Sequence, residues 1–458
     1  MGWRKVAFRI VNESHGRIAE AVRREVPSAR ADLERLVRIP SVSADPAAAE
    51  AVAASAEEVA GLLRGAGLLD AEIVSAGGGK PAVIGSRPGP PGAPTVLLYA
   101  HHDVQPTGDR AGWDSDPFQP TERDGRLYGR GVADDKAGVA LHLAALRAHG
   151  DRLPVGVILL VEGEEEFGSP TLAPFLDAYS DRLAADVVVF ADSGNWTVDV
   201  PALTTSLRGL VQANVQVRVL DHGVHSGEYG GAVPDALTAL CRLLATLHDD
   251  RGDVAVPGLA RASADPLDLT EDQLRRDAGV LDGVELIGTG GLTERMWGRP
   301  AIAVLGIDAP SVAGASNTLL PSARAKVSMR VAPGEDPAAA GAALASFLRQ
   351  RAPWGAEVTV ELGDSGAPYA AQPGGRAYEA ARWALGEAWG VPAIDMGVGG
   401  SIPFVTAYAE AVPGAEILLT GVGDPDTRAH GANESMHLLS FERACIAEAL
   451  LLHRLGQQ

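Results

Sequence analysis

The chain has 458 residues, 59 of them acidic and 39 basic, for a net charge of −20, and 46% are hydrophobic. That apolar fraction excludes an intrinsically disordered chain, and at roughly 100–200 residues per domain the length calls for more than one folding unit. The acid excess argues against nucleic acid and anionic membrane as partners, since both need a basic face.

Residues 17 to 38 carry a helical period that ends before Ile39-Pro40-Ser41, and a second helix is predicted from about Pro46 to Gly65. The opening string MGWRKVAFRIVNESHGR holds no apolar run of signal-peptide type. No segment reaches the roughly 18–20 apolar residues of a membrane span, so the expectation is a soluble, cytoplasmic protein. Four short β-branched-rich runs read as buried strands: Thr95–Ala100, Val155–Val161, Asp186–Ala191 and Glu416–Thr420. Lys136–His149 reads as a helix between the first two. Strands alternating with helices imply an α/β domain with a mostly parallel sheet.

The middle of the chain has a different period. Leu210–Leu220 and Ala323–Val331 alternate as half-exposed strands do, Ala301–Ile307 and Ala356–Leu362 are further strands, and Pro234–His248 and Pro337–Arg349 are helical. Residues 251–300 are rich in Gly and Asp and read as loops and short helices. The order β-α-β-β-α-β resembles a ferredoxin-like unit. The expected layout is therefore a catalytic α/β domain from residues 1–206 and 366–458, with an inserted α+β domain at 207–365. Two cysteines are no disulfide framework, and Cys241 and Cys445, both in apolar helical stretches, are expected to be buried thiols.

Chemistry-bearing residues gather where the predicted strands end. The first strand runs into His101-His102-Asp103, the second into Glu162, Glu164, Glu165 and Glu166, and the third into Asp192. Asp134-Asp135 precede the helix at Lys136, and the loop after the last strand holds His430. Taken singly, the Asp-Asp pair is a helix cap and the Glu run a solvated loop. Ligands in open α/β sheets collect outside the carboxyl ends of strands, however, and carboxylates converging there repel one another without a cation. A mixture of Asp, Glu and His suits zinc or manganese.

The string WDSDPFQPTERDGRLYGRGVADDK, with YAHHDVQP before it and VEGEEEFGS after it, resembles the co-catalytic metallopeptidases of the carnosinase and aminoacylase type, most closely their cytosolic dipeptidases. The likeness runs from IPSVS at 39–43 to the His430 loop. It implies a phosphorylase/hydrolase-like α/β domain carrying two divalent ions, zinc or manganese. His101 and Asp192 would bind one, Glu166 and His430 the other, and Asp134 both, with a cis bond between Asp134 and Asp135. Asp103 would orient His101. Glu165 would be the general base toward a hydroxide bridging the metals.

The inserted domain would act as a lid and dimerise. Within it, DHGVHSGEYGG resembles the motif whose histidine, here His225, donates to the oxyanion in the site of the partner subunit. Asn317 or Thr318 would join it. Arg330 and the Gly399-Gly400-Ser401 loop would hold the substrate's free carboxylate.

The chain departs from many relatives in carrying Gly397 and Val398 where they have Arg-Glu, and in Phe167 where a small residue is common. His102 and the remaining histidines have no ligand pattern. Three strings are decoys. Gly363-Asp364-Ser365-Gly366, read as following the last strand of the insert, lacks the context of a serine protease. Gly77-Gly78-Gly79-Lys80 lacks P-loop spacing, and Gly129-Arg130-Gly131 lacks the third dinucleotide-site glycine. The implied activity is hydrolysis of short peptides with a free carboxyl end. The alternative is an N-acyl-amino-acid amidohydrolase, a deacetylase or desuccinylase, using the same metals.

Overall fold

Uninterrupted β-branched and leucine runs can be strands only where both sheet faces are covered, and that is where they lie. The computed structural model describes residues 13–264 and 267–457. The segment 1–12, and with it most of the string read for a signal peptide, lies outside the described residues. The chain forms two units: one takes the residues up to Thr204, Gln372–Asp395 and Ala407 onward, the other Thr205–Ala371 with Met396–Thr406.

In the first unit, strands Gly156–Glu162, Thr95–His101, Val187–Phe190 and Glu416–Leu419 lie side by side in that order, all parallel. Leu98 stands opposite both Leu159 and Val189, and Leu418 opposite Val189. All four side chains are fully buried. Ala82–Arg87 joins the Gly156–Glu162 edge antiparallel and Glu72–Val74 lies outside it. Helices Glu13–Val37, Ala49–Gly65, Lys136–His149, Leu172–Leu183, Arg376–Trp389 and Leu438–Leu455 belong to the same unit. The parallel register brings the carboxyl ends of the central strands to one edge of the sheet, which positions the site.

The second unit is an antiparallel sheet in the order Ala301–Asp308, Ser322–Val331, Gly209–Arg218, Glu357–Gly366. Helices Ala236–Ala245 and Pro337–Gln350 supply its other layer. Val211, Ala213, Val215 and Val217 alternate with more exposed residues, as Ala325, Val327 and Met329 do on the neighbouring strand. Both rows pack with Leu240, Leu243, Leu344 and Leu348 in one core. The β-α-β-β-α-β order is the ferredoxin-like arrangement read from the sequence.

Two local expectations are corrected. Cys241 is exposed while Cys445 is buried. In helix Ala236–Ala245 the core positions are taken by Ala236, Ala239, Leu240, Leu243 and Leu244, which leaves Cys241 on the outer side. The Gly363-Asp364-Ser365-Gly366 string does not follow the last strand of this unit but lies inside it. The strand runs to Gly366 through an irregularity between Leu362 and Ser365. Among the described residues no helix is long and apolar enough to cross a membrane.

Candidate metal centre

His101 is the last residue of its strand, and its ring is fixed from behind. Nδ1 lies 3.1 Å from the backbone carbonyl of Asp103 and 3.5 Å from its carboxylate, which turns Nε2 outward. Nε2 stands 3.2 Å from Asp134 Oδ1 and 3.9 Å from Asp192 Oδ1. The other Asp134 oxygen, Oδ2, is 3.0 Å from His430 Nε2, which is 3.2 Å from Glu166 Oε2. Two donor triplets result, His101–Asp134–Asp192 and Asp134–Glu166–His430, each with its ligand atoms within 4.8 Å of one another. They share Asp134, one oxygen to each side. Mixed imidazole and carboxylate donors at this spacing fit two divalent cations.

The Asp134–Asp135 peptide is cis. Asp135 turns the other way: it caps helix Lys136–His149 by accepting the Gly138 N–H at 3.2 Å and also accepts the His101 N–H at 3.3 Å. Asp103 ties the neighbouring loop in place, its Oδ2 accepting from Ser43 Oγ at 2.5 Å and from the Glu166 N–H at 3.1 Å.

The glutamates after the second strand divide their tasks. Glu164 is an anchor, accepting the N–H groups of Lys80 and Thr171, each at 2.9 Å. Glu166 belongs to the second triplet, and Glu165 to neither. Gly163 permits this turn, because a Cβ there would lie 2.2 Å from the Pro81 carbonyl and 2.8 Å from His102 Nε2. His102 is buried and its Nε2 lies 2.8 Å from the Pro81 carbonyl. Burial lowers it to about 4, so it is neutral, and it belongs to neither triplet.

The electrostatics are those of an acid cluster short of positive charge. Burial, with the charge of Asp192, raises Glu165 well above the usual carboxylate range. Burial and Asp134 push Glu166 up to about 7. Hydrogen bonds to Asp134 and Glu166 hold the His430 imidazole up to about 11. Burial opposes a charge on His101, yet hydrogen bonds to Asp103, Asp134 and Asp192 outweigh it and raise that ring well above its usual value. Carboxylates that draw protons onto both histidines are the surroundings in which a cation binds.

Three residues at this centre escape a sequence reading. Gln105 holds Glu166, its N–H donating to Oε1 at 3.0 Å and its side-chain amide to Oε2 at 2.9 Å. Glu434 and Arg130, both buried, form an ion pair of 2.7 Å next to Asp134 and His430. The only sequence signal for Glu434 is its place four residues after His430, and for Arg130 its place between two glycines.

The second unit gathers the other predicted residues into two groups. His225 stands opposite Thr318 in a short strand pair, and the Ser226 N–H donates to the Asn317 carbonyl at 2.9 Å. His225 Nδ1 accepts the Gly227 N–H at 3.0 Å, which leaves the ring proton on Nε2 as a free donor. In the other group, Arg330 donates to Ser401 Oγ at 3.4 Å, one residue from Gly400. Arg208, which the sequence reading did not single out, donates to the Gly399 carbonyl at 3.3 Å. Burial and the charge of Arg330 lower Arg208 to about 10, and burial lowers Arg330.

Comparison with known proteins shows a family and a shared fold. Residues 97–454 match the model of peptidase family M20/M25/M40. The cysteinylglycine-S-conjugate dipeptidase of Corynebacterium striatum is 39% identical over 374 residues, covering 80% of this chain and 82% of that protein. The fold superposes on the dipeptidase Dug1p of Saccharomyces cerevisiae with a TM-score of 0.86 at 23% identity, over 97% of this chain and 99% of that one. Human carnosine dipeptidase 1 gives a TM-score of 0.84 at 25% identity, over 97% and 99% of the two chains.

Proposed function

The chain belongs to peptidase family M20/M25/M40, hydrolases of peptide bonds, and from that premise we propose that it is a dinuclear metal-dependent dipeptidase acting on short peptides with a free carboxyl end. The carrying observation is Asp134, with Oδ1 at 3.2 Å from His101 and Oδ2 at 3.0 Å from His430. His101 and Asp192 would hold one ion, Glu166 and His430 the other, and Asp134 both. Zinc and manganese each accept this donor set. Two such ions, when bound, supply a polarising charge for the scissile carbonyl and acidify a water molecule.

The chain's own groups carry the protons. Glu165, outside both triplets, accepts a proton from the attacking water as the new C–O bond forms. It then delivers that proton to the amide nitrogen as the C–N bond breaks, releasing a free amine and a free acid. Asp103 keeps His101 oriented through Nδ1. His225, with its Nε2–H free, is the proposed donor to the oxygen that gains charge, beside Asn317 and Thr318. Arg330, with Ser401 and the Gly400 backbone, is the proposed holder of the substrate carboxylate.

Two coarser features are part of the same proposal. A homodimer through the second unit is supported by the edge strand Ala301–Asp308, where Val304, Leu305 and Ile307 are exposed apolar side chains on an edge open to a further strand. A cytoplasmic location is supported by two free cysteines. S-conjugates of Cys-Gly head the substrate panel, because the Corynebacterium relative is named for them. The test compares a dipeptide panel with N-acetyl and N-succinyl amino acids on the metal-loaded enzyme. Faster turnover of dipeptides is expected, and faster turnover of the acyl compounds overturns the reading.

A further inference from the structure

The loop that carries Asp134 is wrapped around one buried carboxylate. Glu434 Oε1 accepts the N–H groups of Ala133 at 3.0 Å and Asp134 at 3.2 Å. Its Oε2 accepts the Gly131 N–H at 3.1 Å and Arg130 Nη1 at 2.7 Å. The opposite end of the same guanidinium reaches the second ligand loop, where Arg130 Nη2 donates to the carbonyls of His430 at 3.0 Å and Gly431 at 3.2 Å. Gly131 makes the wrap possible: its φ is +80°, and a Cβ there would lie 2.4 Å from Val104 Cγ1.

Every group aimed at the Glu434 carboxylate is a donor. Four N–H groups, one of them cationic, need the acceptor capacity of both oxygens of a carboxylate. A glutamine in its place offers one oxygen, and its NH₂ must point at N–H groups, which leaves buried donors unpaired. Glu434 and Arg130 together are neutral, so the pair fixes the loops without adding net charge to the acid cluster. Neither residue touches His101 or Asp192. Glu434 acts through the backbone of Asp134, which both triplets share, and Arg130 through the backbone of His430, which belongs to the Asp134–Glu166–His430 triplet alone.

We propose that Glu434, paired with Arg130, is a positioning residue that fixes the Asp134 and His430 loops relative to one another and so sets the affinity for the second metal ion. The inference rests on the dinuclear reading above. It is tested by dialysing the metal-loaded full chain against graded chelator and measuring metal per chain for wild type, E434Q, E434D and R130K. Wild type is expected to hold two equivalents. E434Q is expected to release one of them at a chelator concentration at least tenfold lower, with the other shifted by less because only Asp134 of its ligands sits on the loosened loops. R130K should shift the same equivalent by less, and E434D should recover part of the loss. Retention like wild type in both E434Q and R130K overturns the inference, as does loss of both equivalents together in step with a lowered Tm. If E434Q does not fold, R130K decides on the same two outcomes. A wild-type chain that holds no metal would instead sink the dinuclear reading itself.

Discussion

Arg330→Met removes the guanidinium but keeps most of the stem's bulk, and it isolates the proposed carboxylate contact. Arg330 and Arg208 lie half-buried around the Gly399–Ser401 loop, and no carboxylate of the described residues pairs with either. A substrate carboxylate would be the counter-ion. A charge-assisted hydrogen bond contributes about 1.5–3 kcal/mol, which is about 10- to 150-fold in kcat/KM. Arg208 remains in the variant, so the loss should fall in the lower half of that range. The assay measures kcat/KM for a dipeptide and for its C-terminal amide, on both enzymes. Wild type should prefer the free acid and R330M should lose that preference, with the amide changed by less than about threefold. An equal loss on acid and amide would refute a carboxylate contact and leave Arg330 a scaffold for Ser401.

Other perturbations address other parts of the account. E165Q should lower kcat by about 10²–10⁴-fold while metal content stays at the wild-type level; an activity within threefold of wild type rules Glu165 out as the base. Burial lifts Glu162 from 4.5 to about 7. The folded state therefore keeps a proton that the unfolded chain releases, and the resulting stability is full below pH 4.5 and lost as pH rises toward about 7. E162Q should flatten the stability profile by about 3 kcal/mol across that window, read from denaturant midpoints at graded pH, and an unchanged slope contradicts the assignment. Cys241 should react with a thiol reagent in the native protein and Cys445 only after unfolding, because only the first is exposed; equal native reactivity would contradict their placement.

The loops that carry the two donor triplets were legible because their cause is local. A β-branched run that stops at His101 or two residues before Asp192 is a strand end whatever lies around it. Parallel pairing then carries those ends to the same edge. The inserted unit was legible for the same reason: residues alternating with period two, as in Gly209–Arg218, state which face is buried. Glu434 was not legible, since its role depends on backbone N–H groups some 300 residues away, which have no sequence signature. Arg130 read as part of a glycine turn because a buried guanidinium and a solvated one look alike in sequence. Cys241 was misread because an apolar stretch does not say which side of the helix a given residue takes. The strand through Ser365 was cut short because Gly363 and Gly366 look like a turn, whereas an irregular register carries them along the edge.

The central claim is that catalysis needs two cations shared through Asp134. It is tested most directly by removing metal from the purified enzyme and following dipeptide hydrolysis as zinc or manganese is returned in measured equivalents. The account predicts no turnover without metal, full activity on filling two equivalents per chain, and no recovery at any metal concentration in D134A. Turnover of dipeptides by the metal-free enzyme, or full activity of D134A, would contradict it.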